Sequence, residues 1–341
     1  MSMIFFHRAN DYTGSTRALA SLIELEHSDE SLVIVTIDNN GGGFLSTLTN
    51  VTIKKIYFPV FNKKKIKYIS YVISNIHLFF ISITLGYRFD IFYVNTIVPY
   101  PAVIAGRLMR KNIIYHIHEK FIDNSFGKGI MEFVFNNVKS KRIFVSNYVF
   151  NQYPISKNNY IIKYNSLPLS FIDGVHTIPF NSRTLKNILM ISSLSEAKGV
   201  NTFVKLASEM PEFNFTLIVS ASQKEIASYF GFTTNNNLKI LQSQSNIHPF
   251  LKKSDLILNL SKPSMCIETF GLTILEAMIY GMPAIVPDIG GPLELVKDGY
   301  NGYCIDVTNL NEIISKVKSA LVKENYKILS ENAFKQVKRF I

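Results

Sequence analysis

The chain of 341 residues has only two cysteines, Cys266 and Cys304, and they follow no paired spacing. This scarcity argues against a disulfide framework and against a cysteine-based metal site. The loop Arg8–Thr16 contains a single glycine, Gly14, so the three-glycine dinucleotide fingerprint is missing, which speaks against a dehydrogenase. The apolar run over residues 1–6 is too short for a secretory signal peptide, which predicts a cytoplasmic protein.

The formal net charge of +11 is concentrated in the first half of the chain. Residues 1–170 hold 19 lysines and arginines against 10 aspartates and glutamates, a balance of +9, whereas residues 171–341 hold 17 against 15, a balance of +2. A basic half beside a nearly neutral half predicts an anionic partner for the first domain. The sequence contains no recognised nucleic-acid-binding module. We therefore expect no nucleic-acid partner and favour an anionic membrane surface.

Four lysines within residues 63–67 run directly into Tyr68–Gly86, nineteen residues without a formal charge. Such a length could span a bilayer, although Asn75, His77 and several serines and tyrosines dilute it. A crossover helix of an α/β domain, buried on one side, is the favoured interpretation. Its basic start and aromatic outer face could then lie on the membrane interface, which is compatible with that role.

Strand and helix patterns alternate along the chain, which is typical of α/β proteins with parallel sheets. A linker over Ser166–Arg183 contains two prolines and one glycine, a composition that favours a domain boundary. We predict three parts: a first domain at residues 1–170, a second at 171–323, and a terminal helical segment at 324–341.

The most informative segment is Asp255–Asp306, and its first part, up to Val286, carries the clearest pattern. Its pattern predicts a strand, a loop, a helix that begins near Gly271, and a second strand. A loop that leads into a helix N-terminus is suited to bind an anion, because unpaired backbone N–H groups point into it. Glu268 and Glu276 would be acceptors for sugar and ribose hydroxyls there. The alternative is a capping box in which Glu276 only satisfies the backbone N–H of Thr273.

The pattern Glu268-x7-Glu276, together with the following residues up to Pro283, resembles the donor-binding signature of glycosyltransferase family 4. The segments Asp288–Glu294 and Asn187–Gly199 continue this resemblance, and weaker likenesses extend into the first half. The resemblance implies an α/β GT-B fold, in which two Rossmann-like domains face each other across a cleft. In such proteins the last helix often crosses back to the first domain, and 324–341 is long enough to do so.

The resemblance also implies roles for individual residues. Glu268 would contact the donor sugar, Glu276 the ribose, and Lys198 the diphosphate. The family commonly has an arginine where this chain has Ser193, so either Arg17 or another cation replaces that charge or turnover is slower. Further donor contacts would come from the backbone of a short run and from the glycine of the first loop: Phe270, Gly271, Leu272, Thr273 and Gly14.

His118 aligns with the active-site histidine of the family, which hydrogen-bonds near the donor sugar. Alternation along the predicted strand places His116 and His118 on the same side. These histidines and Glu119 lack a third well-placed ligand, and the sequence contains no Asp-x-Asp triplet, so we expect no metal. We expect no cofactor besides the nucleotide diphosphate sugar itself, which is a co-substrate.

The sequence therefore predicts a hexosyltransferase that moves a sugar from a UDP-, GDP- or dTDP-linked donor to a hydroxyl acceptor. The resemblance implies retention of the anomeric configuration. The basic first half favours a lipid-linked saccharide acceptor, such as an O-antigen or capsule precursor, and a peripheral position on the inner face of a bacterial membrane. A sugar-nucleotide epimerase of the same architecture and a non-catalytic nucleotide-sugar-binding subunit remain open alternatives.

Overall fold

The structure, a computed structural model, describes residues 1–38, 42–59, 67–120, 127–153, 160–177, 179–231 and 235–341. The chain divides into two compact units, Met1–Asn165 and Ser166–Ile341. The expected boundary at residue 170 falls inside the helix Leu169–Asp173, which belongs to the second unit.

The first unit contains a seven-stranded sheet in which every neighbouring pair of strands is parallel. Its strands are β1 (Met3–Asn10), β2 (Leu32–Asp38), β3 (Val51–Lys55), β4 (Ile91–Asn95), β5 (Asn112–Ile117), β6 (Lys141–Phe144) and β7 (Tyr160–Ile162). The order β3-β2-β1-β4-β5-β6-β7 begins in the Rossmann manner, with β1 and β4 adjacent. The helices are α1 (Gly14–Glu26), α2 (Lys67–Gly86), α3 (Tyr100–Leu108), α4 (Lys128–Asn137) and α5 (Asn147–Phe150).

The core of the first unit lies on both faces of this sheet, because successive residues of a strand point to opposite sides. Ile4 and Phe6 of β1 pack in one buried cluster with residues of α3 and α4, whereas Phe5 packs in a second cluster with Leu19 and Ile23 of α1. Burial on both faces explains why the strands are apolar throughout rather than alternating.

The second unit repeats this construction with six parallel strands in the order β10-β9-β8-β11-β12-β13. The strands are β8 (Asn187–Ser192), β9 (Asn214–Val219), β10 (Leu238–Gln242), β11 (Leu256–Leu258), β12 (Ala284–Pro287) and β13 (Gly302–Ile305). The helices are α6 (Leu169–Asp173), α7 (Val200–Glu209), α8 (Gln223–Phe230), α9 (His248–Lys253), α10 (Leu272–Met278), α11 (Pro292–Leu295), α12 (Leu310–Ala320) and α13 (Lys323–Val337).

The helix α2 connects β3 to β4, as a crossover helix does, and contacts α3. It is the only helix in the described part of the chain that is long and apolar enough to cross a membrane, over Ile69–Gly86, and 28% of that stretch is buried. Length and composition alone are weak evidence for a span, since core helices of soluble proteins pass the same test.

The terminal helix α13 packs against α10 within the second unit. Phe334 fills the space beside Gly281, and the amide of Gln336 donates to the backbone carbonyl of Glu294. The predicted return of this segment to the first domain stays a prediction.

In both units the strand order reverses at one point: between β1 and β4 in the first unit, and between β8 and β11 in the second. Open α/β sheets bind ligands at the carboxyl ends of the strands next to this reversal. Functional side chains are therefore expected at these two reversals, one in each unit.

Candidate active site

In the second unit, Lys198 and Glu268 meet at the carboxyl ends of β8 and β11. Lys198 follows β8 in a short 3-10 turn, and Glu268 lies in the loop after β11. The lysine Nζ donates to Glu268 Oε2 at 2.8 Å, and about a fifth of each side chain is exposed (22% and 23%). Lys198 and Glu268, for which the family resemblance implies separate roles, thus form one ion pair.

The pair changes the ionisation of both partners. Burial alone would raise the pKa of the Glu268 carboxyl, but the Lys198 ammonium and the backbone N–H groups of Thr269 and Phe270 outweigh it and lower that pKa. Burial would likewise lower the pKa of Lys198, but Glu268 and the neighbouring Cys266 thiol raise it. Both groups are therefore charged around neutral pH, and a cation and an anion face the end of the sheet together.

Two glycines hold the loop that carries Glu268, which we call the Glu268 loop (residues 259–271). The N–H of Gly291 donates to the Glu268 carbonyl at 2.9 Å. A Cβ at Gly291 would lie 1.9 Å from the Thr269 carbonyl oxygen, and one at Gly290 would lie 2.6 Å from that of Glu268. Only glycine permits this approach, so the run Gly290-Gly291 acts as a support for the site.

The other side of the Glu268 loop is bound to the turn of Lys198. Lys262 forms an ion pair with Glu196, and its N–H donates to the Ala197 carbonyl at 2.8 Å. Gly199 has a φ of 76° and packs so closely on the Leu260 carbonyl that a Cβ would lie 2.2 Å from that oxygen. The two loops that carry the ion pair therefore form one connected structure.

The helix α10 begins after Gly271, whose φ of 104° is a left-handed conformation that favours glycine. Because Gly271 occupies the N-cap, Thr273 lies inside the helix, and the predicted alternative of a capping box from Thr273 to Glu276 is wrong. Glu276 is 1% exposed and stands one turn into the helix, on the carboxyl side of the Glu268 loop.

The predicted donor contacts differ in how they face the solvent. The Phe270 side chain is buried, with its ring 6.1 Å from that of Phe340, so the ring does not face the solvent. Leu272 is also buried, Thr273 is half-buried, and Ser193 is exposed directly after β8. Ser193 supplies no charge in place of the arginine that the family resemblance leads one to expect.

In the first unit, three strand ends carry buried polar side chains. His7 of β1, Asn95 of β4 and His118 after β5 are 2%, 0% and 6% exposed. Asn95 lies between the two histidines, with Nδ2 3.0 Å from His7 Nδ1 and Oδ1 2.9 Å from His118 Nε2. The rings of His116 and His118 lie 4.4 Å apart, as the alternation of β5 predicts.

Burial keeps these histidines neutral. It lowers the pKa of His7 to about 4 and that of His116 to about 3. The pKa of His118 also falls well below its usual value through burial, and His116 and His7 add to the shift. A neutral His118 can donate or accept one hydrogen bond at each ring nitrogen, but it does not supply a positive charge.

Burial raises the pKa of the neighbouring Glu119 to about 7, while one of its oxygens accepts from the N–H of Ile97 at 3.2 Å. The Tyr153 hydroxyl donates to the Glu119 backbone carbonyl. Glu119 thus braces the turn after β4. Among the described residues, no group of three His, Cys, Asp or Glu side chains could hold a metal ion.

Gly14 and Arg17 stand in the first turn of α1. A Cβ at Gly14 would meet nothing within 4 Å, so its backbone is open to a close approach. The Arg17 guanidinium lies over the ring of Phe44, with Cζ 5.1 Å from the ring centroid. Its replacement of the missing arginine at Ser193 stays a prediction.

Two members of these clusters, His7 and Asn95, were not predicted from the sequence. Asn95 is the last residue of β4 and His7 lies three residues before the end of β1, and strand ends of this kind flank the reversal of strand order in Rossmann-like sheets. That signal was present in the sequence, but only the pairing of β1 with β4 shows that the two ends are adjacent.

The second unit is similar to a known protein family. Residues 178–336, nearly all of this unit, match the family Glycosyl transferases group 1. A relative from Methanocaldococcus jannaschii, an uncharacterized glycosyltransferase, is 26% identical over 248 residues, which are 70% of this chain and 67% of that protein. The matched families are transferases, so the epimerase and binding-subunit alternatives are not favoured.

Solved structures extend the likeness to both units. The Anabaena protein HepE, in complex with UDP and glucose, is similar with a TM-score of 0.80 and 19% identity over 100% of this chain and 95% of its own. The lipopolysaccharide outer core galactosyltransferase WaaB is similar with a TM-score of 0.67 and 17% identity over 99% of this chain and 95% of its own. These likenesses show that the chain has the GT-B fold, as the sequence predicted.

Proposed function

We propose that this chain transfers a hexose-type sugar from a nucleotide diphosphate sugar to a hydroxyl of a saccharide acceptor, with retention of configuration. The observation that carries the proposal is the Lys198–Glu268 ion pair, which a glycosyltransferase group 1 domain holds at its strand reversal. A transferase of this kind needs a cation for the leaving diphosphate and a hydrogen-bond acceptor for the sugar.

Lys198 supplies the cation. The α10 N-terminus adds backbone N–H groups that have no partner within the helix. When a donor binds, its diphosphate competes with Glu268 for the ammonium, which then bridges the two anions. Glu268 keeps its other oxygen for a sugar hydroxyl. Glu276 would accept from the ribose hydroxyls, in the role that the family resemblance implies.

UDP-linked sugars are the first donors to test, because HepE is similar over the whole chain and was solved with UDP and glucose. WaaB acts on lipopolysaccharide by its name, and its similarity supports a saccharide acceptor for this chain. Fixed charges at the Glu268 loop replace a divalent metal in this proposal.

The test is a thermal-shift screen of the purified protein against UDP, GDP, dTDP and their common sugars, without added metal. A bound ligand raises the unfolding midpoint with the logarithm of its concentration over Kd. We expect one nucleotide family to raise the midpoint, and we expect Glu276→Gln and Lys198→Met to reduce that shift.

Lys318→Met is the matched control for the loss of a lysine, since Lys318 pairs with Glu212 and both are exposed. It should keep the full shift. An activity assay then follows free nucleotide and glycosylated acceptor together. We expect nucleotide to be released from the donor only when a saccharide acceptor is present and becomes glycosylated. If no nucleotide raises the midpoint of the wild-type protein, the proposal is wrong.

We further propose that the first unit rests on an anionic membrane surface through the apolar face of α2, defined here as Ile69, Val72, Ile76 and Phe80. These side chains are between 41% and 58% exposed and recur every three or four residues, so they form one stripe. The opposite side of the helix carries Ser70, Ser74 and Ser82, which are buried.

The exposed face is therefore apolar, unlike that of a helix that faces water, while the buried side combines these serines with Leu78. The buried hydroxyls of Ser74 and Ser82 donate to the carbonyls four residues earlier, at 2.7 and 2.6 Å, so they need no outside partner. The exposed apolar stripe does need one, and the acyl boundary of a bilayer fits it. Three lysines at positions 63–65, outside the described residues, precede the helix, and Lys67 is its first residue. Each lysine near an anionic bilayer contributes about 1 kcal/mol of attraction.

Flotation with vesicles tests this proposal. The protein should float with vesicles of phosphatidylglycerol and phosphatidylcholine and sediment with phosphatidylcholine alone. Phe80→Ser combined with Ile76→Ser should abolish flotation, whereas Phe133→Ser on α4, which is 67% exposed, should not. If the protein floats equally well with charged and uncharged vesicles, and if neutralising Lys63, Lys64, Lys65 and Lys67 does not change this, the proposal is wrong.

A further inference from the structure

A directed chain of hydrogen bonds runs through the buried polar cluster of the first unit. It links His118, Asn95, His7, Thr16 and Asp11 through contacts of 2.9, 3.0, 3.0 and 2.6 Å. Asn95 and Thr16 have no exposed surface, and the two histidines are almost fully buried. Because water does not replace any of these buried partners, each donor and each acceptor in the series is fixed.

One end of the chain fixes the orientation of the Asn95 amide. Its Nδ2 lies 3.3 Å from the backbone carbonyl of Ser15, which can only accept. The amide nitrogen therefore faces Ser15 and His7, and Oδ1 faces His118. Because Oδ1 can only accept, His118 Nε2 must carry the proton of that contact.

The other end fixes His7 independently. Thr16 donates its hydroxyl proton to the Asp11 carboxylate, so Thr16 Oγ1 must accept from His7 Nε2. His7 is then protonated at Nε2, and its Nδ1 is free to accept from Asn95 Nδ2. The 3.5 Å approach of the same Nδ1 to the Asn95 carbonyl is at the limit of hydrogen-bond distance and is the weaker contact. The contacts at both ends therefore require the same donor-to-acceptor order along this series of hydrogen bonds.

The turn after β4 is built to hold Asn95. Thr96 follows with a φ of 74°, a conformation that β-branched residues rarely adopt. The next residue, Ile97, donates to Glu119 and accepts from the Tyr115 hydroxyl at 2.7 Å. Several surrounding contacts therefore hold this strained turn in place, and such turns are typical of functional sites.

We propose that Asn95 and His7 are positioning residues that hold His118 in the tautomer protonated at Nε2, so that its Nδ1 accepts a hydrogen bond from a hydroxyl of the bound sugar. The tautomer follows from the hydrogen bonds of the first unit alone, whereas its use on a sugar rests on the function proposed above. Because His118 Nδ1 accepts a hydrogen bond, it favours a sugar that has a hydroxyl group at the contacted position.

Long-range nitrogen–proton correlation spectra of the full-length protein, labelled with ¹⁵N-histidine, test the tautomer directly. The nitrogen without a proton resonates far from the protonated one. Signals are assigned with His118→Gln and His7→Gln. We expect both residues to be protonated at Nε2 and unprotonated at Nδ1. A proton on His118 Nδ1 in the wild-type protein overturns the proposal, and this measurement needs no variant of Asn95.

Asn95→Asp separates the two contacts of the amide. The carboxylate still accepts from His118 Nε2, but it cannot donate to His7 Nδ1. We expect the His118 signals to stay in place and His7 Nδ1 to gain a proton. Asn95→Ala removes both contacts and should give His118 a mixture of tautomers. If neither variant moves the His7 signals, the chain does not have the assigned direction.

Tyr93→Phe is the matched control, because the Tyr93 hydroxyl bonds to His116 Nδ1 at 2.9 Å and not to the chain. It should move only the His116 signals. In the transfer assay, Asn95→Ala should lower kcat/KM by about tenfold, because of the two contacts that it removes the one to His118 acts on catalysis, and tenfold is the usual effect of losing one buried hydrogen bond. Unchanged kcat/KM would overturn the positioning role. Correct tautomers in a protein that turns over no donor would instead refute the proposed function.

Discussion

At the scale of single residues, the Lys198–Glu268 pair makes stability depend on pH. The pKa of Glu268 is lowered in the folded protein, so its contribution to stability is present above its unfolded pKa of 4.5 and is lost as pH falls through the folded value. The pKa of Lys198 is raised above 10.5, so its contribution is present below that value and is lost at higher pH.

We therefore predict that Lys198→Met lowers the free energy of unfolding by about 1–3 kcal/mol at pH 7, because it leaves a half-buried carboxylate without its cation. The difference from wild type should shrink as pH falls below 4.5 and through the lowered pKa of Glu268 in the wild-type protein. Thermal unfolding across pH 3 to 9 measures this. Glu268→Gln added to Lys198→Met should recover part of the loss; a difference that persists undiminished at pH 3 would contradict the ionic account.

Gly14 offers a separate test of where the donor lies. A Cβ there meets nothing within 4 Å, and the same holds for Gly129 in the first turn of α4. We predict that Gly14→Ala and Gly129→Ala both change stability by less than about 0.5 kcal/mol. Only Gly14→Ala should raise the KM for the donor, because only that backbone is expected to approach the diphosphate. Equal kinetics in the two variants would remove Gly14 from the site.

At the scale of elements, the terminal segment supports the Glu268 loop from behind. The ring of Phe340, 4% exposed, contacts that of Phe270, which directly precedes Gly271 and α10. The first turn of α10 is thus held in place by residues seventy positions further along the chain. A packing contact of this kind fixes the backbone N–H groups that the proposal assigns to the diphosphate.

We predict that Phe340→Ala lowers the free energy of unfolding by about 3 kcal/mol through the cavity that it leaves. The same variant should weaken nucleotide binding, since Phe270 is no longer held. Ile328→Ala on α13 is the control, because Ile328 is 57% exposed. Isothermal titration measures the binding. If Phe340→Ala destabilises the protein yet binds nucleotide as tightly as wild type, the loop does not depend on this contact.

At the scale of the whole molecule, each unit has a hydrophobic core of its own. Units with separate hydrophobic cores can unfold as separate cooperative blocks. We predict two transitions in scanning calorimetry. Phe92→Ala should lower only the transition of the first unit, and Leu217→Ala only that of the second. A single transition whose calorimetric and van't Hoff enthalpies agree would contradict this expectation.

Element positions were predictable where the local pattern was strong. The uncharged run Tyr68–Gly86, interpreted as a crossover helix, differs from α2 (Lys67–Gly86) by one residue at its start. The start of a helix was harder to predict where it depends on the capping residue. The capping box at Thr273 fitted the residue types, but the left-handed Gly271 begins the helix two residues earlier. A glycine cap leaves no side-chain signature, and its conformation depends on the loop that precedes it.

The sequence by itself determined the residues that lie close together along the chain: the Glu268 loop, the start of α10 and Glu276 follow each other within one strand–loop–helix unit. Tertiary structure alone decided that Lys198, seventy residues away, pairs with Glu268. It also decided that Asn95 stands between His7 and His118, each from a different strand. The physical reason is that parallel strands bring their carboxyl ends together, whatever the length of chain between them.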